Sequence, residues 1–100
     1  MTGVIPDDLA KYVARRFEPS DRAEALMLLR SATRHDGSPP GPRLLRCAAV
    51  ASGGSIDRLR MEIESLARDD RDVIVEGEYV VRSGKLVRVR DLNAPIEDDA

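Results

Sequence analysis

The sequence has no tryptophan, one cysteine, one histidine and only three aromatic residues, Tyr12, Phe17 and Tyr79, in 100 positions. The single Cys47 excludes an intramolecular disulfide and a cysteine-rich zinc site. Scarcity of aromatics leaves Leu, Ile, Val, Ala and Met to build the core, a composition that suits helices because Ala and Leu are cheap to order there. No apolar run approaches the roughly 18–20 residues needed to cross a bilayer. The opening residues lack the basic and apolar regions of a signal peptide, so a cytoplasmic protein is expected. A basic excess is missing too. The net charge is −2, with eight cations against six anions in residues 1–50 and eight against twelve in residues 51–100. A nucleic-acid module normally carries an uncompensated cationic face.

What is present is ordinary for a folded domain: 42% hydrophobic and 34% charged residues, with no compositional break halfway. The expected organisation is one helical domain over 1–92, interrupted by an exposed Gly/Pro loop at 34–42, and a flexible acidic tail at 93–100. The fold class is mainly α: four to five short helices in a compact orthogonal bundle, with a C-terminal β-hairpin.

Pro6-Asp7-Asp8 opens the first helix, and Leu9, Tyr12, Val13 and Phe17 form its apolar stripe. Glu18-Pro19 ends it. Ser20 is the expected N-cap of a second helix, and residues 23–32 are apolar on more than one face. That helix is expected to be the most buried, with apolar surface left over. A third helix starts at Pro42 and stops at Ser52-Gly53-Gly54. Ser55 caps a fourth, whose stripe Ile56, Leu59, Ile63, Leu66 and Ala67 is the cleanest in the chain.

Residues 70–77 read either as a helix capped by Asp70 or as a strand at Val73–Val75. The helix is preferred. Two β-rich runs around Ser83-Gly84 then signal a hairpin.

The stretch 46–79 resembles a family of small uncharacterised bacterial helical proteins. The matching residues are Arg46, Ala49, Gly54, Leu59, Ala67, Asp70, Arg71, Asp72, Glu78 and Tyr79. The resemblance implies a helix after Asp70 and carries no activity. Gly77 departs from the pattern and is expected to stop that helix early.

The chemical candidates are few. Ser52-Gly53-Gly54-Ser55 lacks both phosphate-loop fingerprints and follows a helix rather than a strand, so it reads as a joint between helices. Asp69, Asp70 and Asp72 lack the spaced glycine and glutamate of a calcium loop. His35 beside Asp36 has no nucleophile placed near it, and Cys47 lies among apolar residues. No catalytic, cofactor or metal residues are assigned. The expected function is therefore non-enzymatic, through contact with a protein partner or with itself. The alternative is a winged-helix-like nucleic-acid binder using Arg58 and Arg60 on a recognition helix and Arg82, Lys85, Arg88 and Arg90 in a wing. Against it stand Asp57, Glu62 and Glu64 on the same helix.

Overall fold

A computed structural model describes residues 5–96. Its order is five α-helices followed by a two-stranded antiparallel hairpin. The mainly α fold with a C-terminal hairpin is thus as the periodicity indicates. None of the helices is long and apolar enough to cross a membrane.

Helix α1 (Asp7–Arg16) begins after Pro6, carries Asp7 and Asp8 in its first turn, and buries Leu9, Tyr12 and Val13. The chain then turns extended at Phe17, which is itself buried. Pro19–Asp21 forms a single 3-10 turn, and α2 (Arg22–Ser31) follows it. Ser20 therefore sits inside the 3-10 turn and does not cap α2. Pro19 fixes a φ compatible with that tight turn, so the chain is already wound when the α-helix starts.

The most buried helix is α3 (Pro42–Ser52), not α2. It buries Leu44, Leu45, Arg46, Cys47, Ala48, Ala49 and Ser52, whereas α2 buries only Ala25 and Leu29. The small side chains Cys47, Ala48 and Ala49 explain the difference, because they let neighbouring helices approach the α3 backbone closely. Apolar count decides hydrophobicity, but size decides which helix can lie in the middle. Met27 of α2 stays 59% exposed.

Gly53 takes a left-handed conformation (φ 62°) and closes α3 through its N–H to the Val50 carbonyl. A Cβ on Gly54 (φ 89°) would strike the Arg16 carbonyl, so the joint packs against the end of α1. Ser55 then caps α4 (Ile56–Arg68), accepting the Arg58 N–H at 3.3 Å. Helix α4 buries Leu59, Glu62 and Leu66, while Ala67 of its expected stripe is exposed.

Helix α5 (Asp70–Glu78) resolves the ambiguity after residue 70 in favour of helix. Its cap is Asp69, which accepts the Arg71 N–H at 3.0 Å. Asp70, expected in that role, is the first helical residue and bonds Arg34 at 3.0 Å. The helix also runs through Gly77 instead of stopping there. A Cβ at residue 77 would lie 2.7 Å from Cys47 Cα and 2.9 Å from its carbonyl oxygen. Gly77 is thus a contact point of α5 on α3.

The loop 34–42 is mostly exposed, although Pro40 is buried, and Asp36 accepts both the N–H and the hydroxyl of Ser38 within it. Residues 93–96, expected as free tail, return to the helices: Leu92 and Ile96 are buried, and the Ile96 N–H donates to Asp8 at 3.0 Å. The remaining tail residues, 97–100, lie outside the described residues.

Candidate interaction surface at the C-terminal hairpin

The hairpin follows from its residues. Valine-rich runs favour extended backbone, and Ser83-Gly84 supplies two positive φ values (51° and 75°) for a type I′ turn. Strand β1 (Tyr79–Arg82) pairs with β2 (Lys85–Arg88) in the register Tyr79↔Arg88, Val80↔Val87, Val81↔Leu86 and Arg82↔Lys85.

Its root is fixed by a buried carboxylate. Glu78, the last residue of α5, has no exposed surface. Its oxygens accept two bonds from Arg43 at 2.9 and 2.8 Å and one from the Leu92 N–H at 3.0 Å. Arg88 of β2 pairs with the same carboxylate at 3.0 Å. The Arg43 bonds, helped by Leu92 and Arg88, hold Glu78 at about 2, far below an ordinary glutamate. Arg90 donates to the Gly77 carbonyl at 3.0 Å, and the Val89 N–H donates to the Glu78 carbonyl at 2.8 Å.

Beyond the root, the strands are largely uncovered by the described residues. Val81 is 69% exposed and Leu86 59%, while Val80 and Val87 are each 37% exposed. Side chains alternate along a strand, so Tyr79, Val81, Leu86 and Arg88 share one face and Val80, Arg82, Lys85 and Val87 the other. Backbone groups alternate as well. The Val89–Glu78 bond makes that pair a hydrogen-bonded one, and so, two residues on each time, are Val80–Val87 and Arg82–Lys85. The N–H and C=O of Val81 and Leu86 consequently point outward, and no other described backbone group bonds them. A two-stranded hairpin with both edges open is a template for a further strand.

The six basic residues of the nucleic-acid reading divide sharply. Arg60 is held by Glu24 and by Asp57. Arg88 is held by Glu78 and Asp91, and Arg90 by the Gly77 carbonyl. Arg58 lies at the start of α4 beside Met61, Glu62, Ser65 and Glu76 in a shallow groove of about 300 Å³. Arg82 and Lys85 stand directly opposite each other at the tip and have no ion pair among the described residues. Helix α5 also intervenes between α4 and the hairpin, so no direct connection joins the expected recognition helix to the wing.

Cys47 is fully buried, and burial together with the neighbouring Glu78 charge pushes its thiol up to about 12. His35 is exposed in its loop, and the neighbouring Asp36 is lowered by the bonds from Ser38. No group of three His, Cys, Asp or Glu side chains among the described residues could hold a metal. The larger cavity, about 560 Å³, lies between Tyr12, Arg16 and Val50 on the helices and the returning segment 89–96.

Sequence reasoning found the hairpin but placed the surplus apolar surface on residues 23–32. No local signal marked the hairpin as uncovered, because Val73–Val75 also reads as a third strand beside it. No family model, curated protein or solved structure matches the chain.

Proposed function

We propose that this is a non-enzymatic protein of the bacterial cytoplasm that acts by docking another protein on its C-terminal hairpin. The observation that carries the reading is the exposure of Val80, Val81, Leu86 and Val87 on a hairpin whose root is locked and whose edges are open. An isolated two-stranded hairpin is marginal in water. Here Glu78, Arg43 and Arg88 hold its base to the helices, so the strands stay presented without a covering layer.

The test is selection of a displayed random peptide library on the immobilised protein and on a Val81→Asp/Leu86→Asp variant. Peptides enriched on the parent and lost on the variant are the expected result. Equal enrichment on both, with circular dichroism showing both folded, would overturn the reading.

A further inference from the structure

We infer that the hairpin's occupant is an acidic strand of a partner protein, added along the outer edge of β1, with apolar and acidic residues alternating. This rests on the docking role proposed above and goes further by naming the partner's chemistry.

Three observations converge on it. Residues 79–90 contain Arg82, Lys85, Arg88 and Arg90 and no acidic residue. Arg88 and Arg90 are engaged at the root, which leaves the tip pair Arg82–Lys85 as like charges directly across the ladder. Such a pair destabilises a hairpin by itself and is relieved by an anion. Second, the two faces differ: Tyr79 and Val81 of β1 lie on one, and Val80 and Arg82 lie on the other. An added strand has the same period of two. Its alternate side chains therefore meet the Tyr79–Val81 face and the Arg82 face in turn, so apolar residues suit the first and carboxylates the second. Third, the outer edge of β1 offers the free N–H and C=O of Val81. The β2 edge is less suitable, because its apolar face contains Arg88, already paired with Glu78 and Asp91.

A second copy of this chain fits worse, since pairing two hairpins gathers the tip cations Arg82 and Lys85 of both copies and adds no acidic residue of 79–90 to face them. Nucleic acid fits worse too: it offers phosphates to Arg82 and Lys85 but nothing to Val81 and Leu86, and Asp57 and Glu64 lie on α4.

The experiment measures binding of an acetylated nonapeptide alternating valine and aspartate, by fluorescence polarisation at low and moderate salt. The comparison probes are the valine–lysine counterpart, a peptide with the same valines and aspartates in two blocks, and a mixed-sequence DNA duplex. Val81→Pro removes the outward N–H and no bond of the ladder, and Arg82→Glu/Lys85→Glu reverses the tip charge. Circular dichroism checks that each variant is folded. Expected are binding of the alternating acidic peptide at least about tenfold tighter than of the other probes, and a loss of about tenfold or more in each variant. Preference of the charge-reversed variant for the lysine peptide would further support the inference. Equal binding of the lysine peptide, or unchanged binding by Val81→Pro, overturns the acidic strand, while hairpin-dependent peptides from the library would leave the docking role standing. DNA retained through Arg82 and Lys85 but insensitive to Val81→Pro overturns it in favour of nucleic acid. A dimer in light scattering that Val81→Pro dissolves overturns it in favour of a second copy.

Discussion

Arg46 and Asp8 form a two-bond ion pair, Nη2 to Oδ1 at 2.9 Å and Nε to Oδ2 at 3.0 Å, that ties the middle of α3 to the first turn of α1. The same Asp8 carboxylate accepts the Ile96 N–H, and Arg46 reaches the carbonyls of Leu92 and Asn93 at 3.4 Å. One nearly buried guanidinium and one carboxylate therefore hold three separated parts of the chain together. The arginine bonds lower Asp8 below an ordinary aspartate, against the opposing effect of burial.

Replacing Asp8 with Asn removes the charge from this junction and leaves Arg46 without its anion. A loss of about 2 kcal/mol in stability is expected, since hydrogen bonds to charged groups contribute on that scale. The finer expectation is local. Hydrogen exchange of the Ile96 amide accelerates more than that of the Leu92 amide, because Leu92 donates to Glu78 and not to Asp8. Equal acceleration of the two amides would show that the returning segment opens as one piece rather than through the Asp8 tie.

Glu78 makes stability depend on acid. Its folded value of about 2 lies below the ordinary 4.5, so the ionised form is favoured in the native state. That stabilisation is complete above the unfolded value and is lost as pH falls from about 4.5 toward 2. Asp8, also lowered, acts in the same direction. Thermal midpoints measured between pH 7 and pH 2 should therefore fall steeply only in the acid range. Glu78→Gln should cost about 2 kcal/mol at neutral pH, below the usual loss for a broken buried pair because Arg43 and Arg88 reach solvent. It should also flatten the acid fall. A variant with the parent's full acid dependence would show that other carboxylates control it.

Gly77→Ala separates helix propensity from packing. Propensity alone predicts a gain of up to about 1 kcal/mol. The new methyl, however, would meet Cys47 Cα, Cβ and carbonyl oxygen at 2.7–2.9 Å, and backbone atoms cannot rotate away. Overpacking of this kind costs about 1–3 kcal/mol, so a lower thermal midpoint is expected. A higher midpoint in calorimetry would mean that α3 and α5 do not approach as described.

Much of the architecture is local enough to read from residues. The stripes of α1 and α4, the Ser55 cap, the Gly53 stop and the Ser83-Gly84 turn each depend on a few neighbours in the chain. The errors fall where the decision depends on distant partners or on one residue of backbone. Asp69 and Asp70 are equally good caps by type, and only the extended backbone of Asp69 selects it. Residues 23–32 have the apolar count of a central helix, but the small residues Cys47, Ala48 and Ala49 give that place to α3. Gly77 looks like a helix stop until Cys47 is set against it. Of the candidate surface, the strands and cations were legible, while their freedom from any covering layer was not.

By itself the sequence determined a mainly helical chain ending in a basic, valine-rich hairpin, because helical periodicity, caps and a two-residue turn act over short distances. Only the tertiary structure decided that Glu78 is buried beneath that hairpin and that Arg43 and Arg88 meet on it. Arg43 lies 35 residues from Glu78, and burial of a charge is settled by what the whole fold packs around it. The same packing left Val81 and Leu86 in solvent, since no remaining segment of the described chain reaches across them.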